Sequence, residues 1–266
     1  MSRRPVFVLP GVLLAAYLVG LALYLPPDRL ELWLKSASGG RVGWEAMTLG
    51  WEGLRFTRVR FVPPLFSQDK PLDQITLRPR LFPLLMGNLG MAYQFQFETT
   101  RIQGEGAWDG QQTRLEWRID LEDLARVMEL WLGPMGTELQ GKGKGAGWLT
   151  ATTRAPMVLE SGAWELQLQG MSAFGARMDP FTLTGTVKEK NLMEIKLTGK
   201  GEIAVAGKVT LQATPPNLRA SSVQGELQIQ PITPNLGGVL GQMLGKGQPV
   251  KMLLSGSVEN LQWRTQ

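Results

Sequence analysis

Apolar and polar residues alternate along most of the chain after residue 40. The clearest run extends from Leu89 to Thr99, where apolar side chains occupy every second position and glycine, alanine, glutamine or glutamate lie between them. A period of two is typical of a β-strand with one face buried. Further runs with this period lie at 102–108, 115–121, 164–168, 181–187, 193–211, 223–229 and 252–258. The pattern therefore predicts a mainly β fold.

Three features of these runs indicate how the strands connect. The dipeptide Asp109-Gly110 separates two runs and predicts a β-hairpin. The run 193–211 keeps one phase for nineteen residues, which fits one long bent strand or two strands with a glycine-rich connection. Glycines recur in phase with the apolar residues, and glycine within a strand marks bends or close backbone approach. We therefore expect a curved, largely antiparallel sheet.

The N-terminal segment has a different pattern. Val6 to Leu25 is a run of twenty residues without a charge, which is long enough for a helix to cross a hydrocarbon core of about 30 Å. Arg3 and Arg4 precede it, so residues 1–5 are expected to stay in the cytoplasm. The predicted membrane anchor, residues 6–25, includes Val6, Leu14, Tyr17 and Leu25.

A cleaved signal peptide is the alternative interpretation of this segment. Its apolar region is normally about 7–15 residues long and ends in small residues. Here the run is longer, and Pro26-Pro27 follow it directly. We therefore expect an uncleaved anchor in the inner membrane of a bacterium, with everything after it in the periplasm.

Residues 26–40 predict a short amphipathic helix at the membrane surface. Asp28 can cap it, and Leu30, Trp33 and Leu34 share one face. Residues 41–266 contain no linker clear enough to divide them, so we expect one periplasmic β-rich domain. Short helices are predicted within it at 80–86, 120–132 and 235–244.

Composition removes several classes of function. The chain has no Cys and no His, which excludes disulfides, thiolate nucleophiles, imidazole metal ligands and a Ser-His-Asp triad. Its net charge of +5 is spread along the chain instead of forming the basic stripe of a nucleic-acid-binding protein. We expect a protein that is not an enzyme and that uses no metal, no cofactor and no nucleic acid.

Three carboxylates remain as a candidate cation site. Asp120, Glu122 and Asp123 supply the oxygen ligands that a hard cation prefers. Carboxylates at the start of a helix are also explained by capping of its first N–H groups and by the helix dipole. Capping is the favoured interpretation.

Two surfaces are candidates for binding. The first is an apolar groove for lipid acyl chains, for which the alternative is an ordinary sheet face covered by the rest of the fold. Its predicted residues are Tyr93, Phe95, Phe97, Trp117, Ile195 and Leu197. The second is a basic patch for lipid head groups or an acidic partner, for which the alternative is a set of solvated strand positions. Its predicted residues are Arg55, Arg58, Arg60, Arg78 and Arg80.

Three features together resemble one protein family. They are the single N-terminal anchor, the juxtamembrane helix leading to GGRVGWEAMTLGWEGLRFTRVRFVP, and the segment LDQITLRPRLFPLLMGNLG. In that last segment a strand with Leu-x-Arg-Pro is followed by a leucine-rich turn and a long alternating strand. This layout resembles the type II secretion system protein N (GspN) family, and the opening also resembles AsmA-like envelope proteins.

The resemblance implies a function without enzymatic activity. It implies an inner-membrane accessory component of the type II secretion apparatus, which binds other secretion-system proteins in the membrane and the periplasm. The AsmA-like alternative implies a curved sheet whose groove binds or transfers phospholipid. A third class, a carboxylate-based glycan hydrolase, would need two facing acids in a cleft.

Overall fold

The computed structural model describes residues 27–50, 52–62, 70–80, 83, 88–132, 137–153, 157–173, 175–215, 220–232, 249–258 and 260–265. The predicted membrane anchor at 6–25 and the predicted helix at 235–244 lie outside these residues, as does most of the predicted helix at 80–86. Within the described ranges, neither helix has the length and hydrophobicity needed to cross a bilayer.

Two helices and fifteen strands make up the described structure. The helices are α1 (Pro27–Ala37) and α2 (Leu124–Leu132). The strands are β1 (Val42–Gly43), β2 (Ala46–Gly50), β3 (Gly53–Phe61), β4 (Leu72–Arg80), β5 (Leu89–Phe97), β6 (Thr100–Trp108), β7 (Gln112–Leu121), β8 (Leu139–Thr152), β9 (Leu159–Ala173), β10 (Ala176–Glu189), β11 (Leu192–Gly201), β12 (Ile203–Gln212), β13 (Ser222–Pro231), β14 (Val250–Ser257) and β15 (Leu261–Thr265).

All fifteen strands belong to one open antiparallel sheet, which confirms the predicted β class. From β3 to β15, every strand pairs with the next strand along the chain, and β1 and β2 both pair with β3. The hairpin at Asp109-Gly110 is confirmed, because Trp108 of β6 pairs with Thr113 of β7. The Asp109 carboxylate accepts hydrogen bonds from the N–H groups of Gln112 and Gln111, and these bonds lower its pKa.

The nineteen-residue run forms two strands, so the second of its two interpretations is confirmed. The strands β11 and β12 pair with each other, with Leu197 opposite Gly207. Gly201 at the end of β11 has a φ of 151°, outside the range that other residues readily adopt. This short connection preserves phase, so the apolar residues of both strands stay on one side.

Residues opposite each other in the ladders form continuous rows across the sheet, and the side chains of a row share a face. One row, here the aliphatic row, contains Phe56, Ile75, Phe95, Ile102, Ile119, Gly145, Leu166, Leu183, Leu197, Gly207, Leu227 and Met252. The next row on that face, here the aromatic–glycine row, contains Leu54, Leu77, Tyr93, Gly104, Trp117, Gly147, Trp164, Gly185, Ile195, Val209, Gly225, Leu254 and Trp263. The sheet therefore has one apolar face, and the residues between these rows form a largely polar face.

Helix α1 covers the part of the apolar face that the first strands of the sheet form. Leu34 packs against a buried cluster that contains Phe56 and Ile75. The helix is also held by a hydrogen bond of 3.1 Å from Trp44 Nε1 to Glu31 Oε1. Trp33, which was expected on the same face as Leu34, is 65% exposed.

Helix α2 covers a second region of the apolar face. Val127 and Met128 pack against a buried cluster that includes Leu168. The helix begins at Leu124, later than the predicted start, and Asp123 caps it by accepting a hydrogen bond of 3.2 Å from Arg126 N–H. Across the described ranges, no three acidic side chains are grouped so that they could hold a metal ion.

Candidate apolar groove on the sheet

An apolar groove of about 660 Å³ lies over strands β4 to β7, and it extends to the ends of β5, β6 and β7 at Leu89, Trp108 and Thr113. Each strand contributes side chains from alternate positions, because these positions point to the same face. The residues that line the groove are Leu77, Leu89, Gly90, Met91, Tyr93, Phe95, Ile102, Gly106, Ala107, Trp108, Thr113, Leu115 and Trp117. Its volume is within the range of about 300–1,000 Å³ that is usual for small-molecule sites.

The groove is open to solvent along one side. Leu89 is 52% exposed, Met91 44% and Leu115 40%, although each lies on the apolar face of the sheet. Contiguous exposed apolar surface in a soluble domain marks a binding site for a protein, a membrane or an apolar ligand. This part of the sheet therefore has the apolar composition of a core, and none of the described helices covers it.

Two aromatic side chains of the groove direct their polar atoms to partners within the protein. The Tyr93 hydroxyl donates to the Glu116 carbonyl oxygen at 3.1 Å, and burial raises the pKa of this phenol. Trp108 Nε1 donates to Thr153 Oγ1 at 3.1 Å. Because these polar atoms are already satisfied, the two rings offer mainly carbon to a ligand.

In the aromatic–glycine row, aromatic rings pack directly against glycines of the neighbouring strand. A Cβ added at Gly104 would lie 2.7 Å from Tyr93 Oη, and one added at Gly147 would lie 2.8 Å from Trp117 Cζ2. The rings therefore lie over the backbone of the neighbouring strand. A side chain in place of either glycine would displace the ring above it. This arrangement explains why so many glycines occur in phase within the strands.

A second groove, of about 930 Å³, lies on the polar face over β4 to β10. Among the lining residues whose side chains point to the polar face, Trp148 is the one aromatic residue. The Arg114 guanidinium lies 5.4 Å from the centre of the Trp148 ring. Arg114 also forms an ion pair of 3.0 Å with Glu116. The charges of this groove are partly neutralised within it, unlike the uniform charge expected of a site for a highly charged ligand.

The structure divides the six predicted groove residues among three regions. Tyr93, Phe95 and Trp117 line the groove. Phe97 is 8% exposed and belongs to the buried cluster beneath α1. Ile195 and Leu197 lie on the same face but in β11, which is four strand spacings, or about 19 Å, from β7 at the edge of the groove.

Several groove residues were not singled out from the sequence. Leu89 and Met91 belong to the run that gave Tyr93 and Phe95, and Leu115 belongs to the run that gave Trp117. The alternation of these runs therefore already placed the three residues on the apolar face. The missing information was the pairing of β5, β6 and β7, which makes one surface of three separate runs.

The five arginines of the predicted basic patch lie on β3 and β4, and acidic side chains accompany four of them. Ion pairs join Arg55 and Arg78 to Glu52, Arg58 to Glu45, and Arg80 to Glu105. Arg60 lies opposite Gly43 of β1. The region is therefore a set of arginine–glutamate ion pairs and not a uniformly basic surface.

No protein-family model, no curated protein and no solved structure matches this chain. Function is therefore inferred from the geometry of the sheet.

Proposed function

We propose that the protein acts by binding, and that the groove over β4 to β7 holds apolar chains such as the acyl chains of a lipid. The observation that carries the proposal is a groove of about 660 Å³ whose exposed walls are almost entirely carbon. Burial of each methylene group contributes about 0.8 kcal/mol, so an acyl chain gains affinity with every carbon that enters.

The proposal also includes the shape of the sheet and the position of the protein in the cell. The sheet is proposed to be curved, which fits the usual twist of antiparallel sheets and the glycines within its strands. Residues 6–25 anchor the protein in the inner membrane, so that the sheet lies in the periplasm. An anchored groove would receive lipid from the adjacent bilayer without needing to release the protein.

The experiment is mass spectrometry of lipids that remain bound to the full chain after purification in detergent. Leu115→Lys is the test variant, because Leu115 is 40% exposed and a lysine there can be solvated without unfolding the sheet. The expected result is lipid bound to the wild type and a marked loss in the variant.

Ile232→Lys is the matched control, because Ile232 is 58% exposed and lies outside the groove. This variant is expected to retain lipid at the level of the wild type. Lipid-free wild-type protein, or equal loss of lipid in both variants, would contradict the proposal.

A second candidate function is that of an accessory component of the type II secretion apparatus, similar to GspN proteins. It is favoured by the segment LDQITLRPR, which carries the resemblance and forms β4, one wall of the groove. In this function the anchor and the sheet bind other secretion proteins, and the groove takes an apolar segment of one of them.

Crosslinking in intact cells, followed by extraction in detergent and identification of captured proteins, separates the two candidates. Specific recovery of secretion proteins that is lost in Leu115→Lys supports the second function. Recovery of lipid without any secretion protein supports the first function alone.

A further inference from the structure

Strand β15 lies at one edge of the sheet that the described residues form. Strand β15, Leu261–Thr265, pairs with β14, and within the described residues no strand pairs with its other side. Successive residues of an antiparallel strand direct their N–H and C=O groups to alternate sides. Two or three of its five residues therefore direct hydrogen-bonding groups toward the open side, which is a template for another strand.

The apolar face reaches this edge without interruption. Leu261 lies opposite Gly256, and Trp263 lies opposite Leu254 and ends the aromatic–glycine row. Trp263 is 57% exposed. Elsewhere in this row the rings of Trp117 and Trp164 lie over a glycine of the following strand, whereas no following strand is described for Trp263.

We propose that two copies of this chain pair through their β15 strands, antiparallel about a two-fold axis that passes by Trp263 perpendicular to the sheet. In this register Leu261 of one copy lies opposite Thr265 of the other. Trp263 lies opposite Trp263, and Gln262 lies opposite Arg264. All five residues are paired, and the apolar faces of both copies lie on the same side and form one surface.

Two criteria select this register. A register centred on Gln262 would also keep the apolar faces together, but it would pair only three of the five residues of β15; side-chain complementarity excludes the other neighbours. The two Trp263 rings meet across the axis, and such cross-strand aromatic pairs stabilise sheets. A register centred on Arg264 would place two guanidinium groups opposite each other. A shift by one residue would place Trp263 opposite Gln262, which belongs to the other face, so the apolar surfaces would no longer coincide.

The absence of cysteine from the chain allows a clean crosslinking test. The double variants are Leu261→Cys with Thr265→Cys, and Gln262→Cys with Arg264→Cys. Residues opposite each other in such a pair have Cα atoms about 4.5–5.5 Å apart, within the range for a disulfide. Two double variants are used because one of them falls on the more closely spaced type of pair.

The single variants Leu261→Cys and Thr265→Cys are the matched controls. In the proposed register the two copies of residue 261 are four positions apart, which is roughly 14 Å along the strand and too far for a disulfide. Under mild oxidation of the full chain in detergent, at least one double variant is expected to form a covalent dimer, and the single variants are not.

The mass of the untreated chain provides an independent measurement. Light scattering is expected to give two copies per particle for the wild type and one copy for Trp263→Ser, with circular dichroism spectra that coincide. Monomeric wild type, or double variants that crosslink no more than the single variants, would overturn the proposal. The pairing is independent of what the apolar groove binds, because β15 contributes no residue to that groove.

Discussion

Substitution of Gly185 tests the packing of aromatic rings over glycine. A Cβ at Gly185 would lie 2.6 Å from Trp164 Cζ2 and closer still to Cε2 and Nε1 of the same ring. The ring is also held at its edge, because Trp164 Nε1 donates to Met193 Sδ at 3.4 Å. Insertion of a methyl group into a closely packed site destabilises by about 1–3 kcal/mol. We therefore expect Gly185→Ala to lower the free energy of unfolding by this amount.

Thermal and denaturant unfolding of the single and double variants measure this effect. Each kcal/mol lowers the Tm of a domain of 150–250 residues by about 2–4 °C. In a Trp164→Ala background the new methyl group has room, so Gly185→Ala should cost at least about 1 kcal/mol less there. Gly50→Ala is the control, because a Cβ at Gly50 would meet nothing within 4 Å, and it should change stability by less than about 0.5 kcal/mol. An equal cost of Gly185→Ala in both backgrounds would refute the packing argument.

Three further substitutions give separate checks. Leu168 is 3% exposed in the cluster beneath α2, so Leu168→Ala should lower the free energy of unfolding by about 2–5 kcal/mol in urea. The Lys208 ammonium, 2.6 Å away, lowers the pKa of the Glu194 carboxyl, which also forms an ion pair of 3.6 Å with Lys196, the residue opposite Lys208. Glu194→Gln should therefore reduce the Tm near neutral pH, and the difference from wild type should vanish as the pH falls through that lowered pKa, where the wild-type carboxyl also becomes neutral. Asn191 has a φ of 61°, so Asn191→Ala should destabilise more than Asn191→Gly in the same unfolding assay.

The alternating pattern predicted the strands because a sheet with one apolar face requires every second residue to be apolar. The hairpin at Asp109-Gly110 was also predictable, because the turn residues and the flanking phases agree. Helix α2 was predicted to begin at Asp120, but Asp120 and Leu121 belong to β7, where they pair with Lys144 and Gly143. Pairing with a distant strand decided this boundary, and such pairing has no local signal.

Which part of the apolar face is open was not predictable either. Phe95 and Phe97 have the same phase and similar side chains, yet Phe95 lines the groove while Phe97 is 8% exposed. Phe97 is a fully buried member of the cluster against which Leu34 of α1 packs, whereas Phe95 lies at the margin of that cluster and is only partly buried. Coverage depends on where a helix lies over the sheet, and the period of the strands contains no information on that position.

The most direct test of the groove is the affinity of the full chain for saturated fatty acids of increasing length, measured by titration calorimetry. The binding proposal predicts that each added methylene strengthens binding by about 0.8 kcal/mol, or roughly fourfold in Kd, until the groove is filled. The increase should be lost in Leu115→Lys and retained in Ile232→Lys. Affinities that do not change with chain length, or that change equally in both variants, would contradict an apolar binding groove on this sheet.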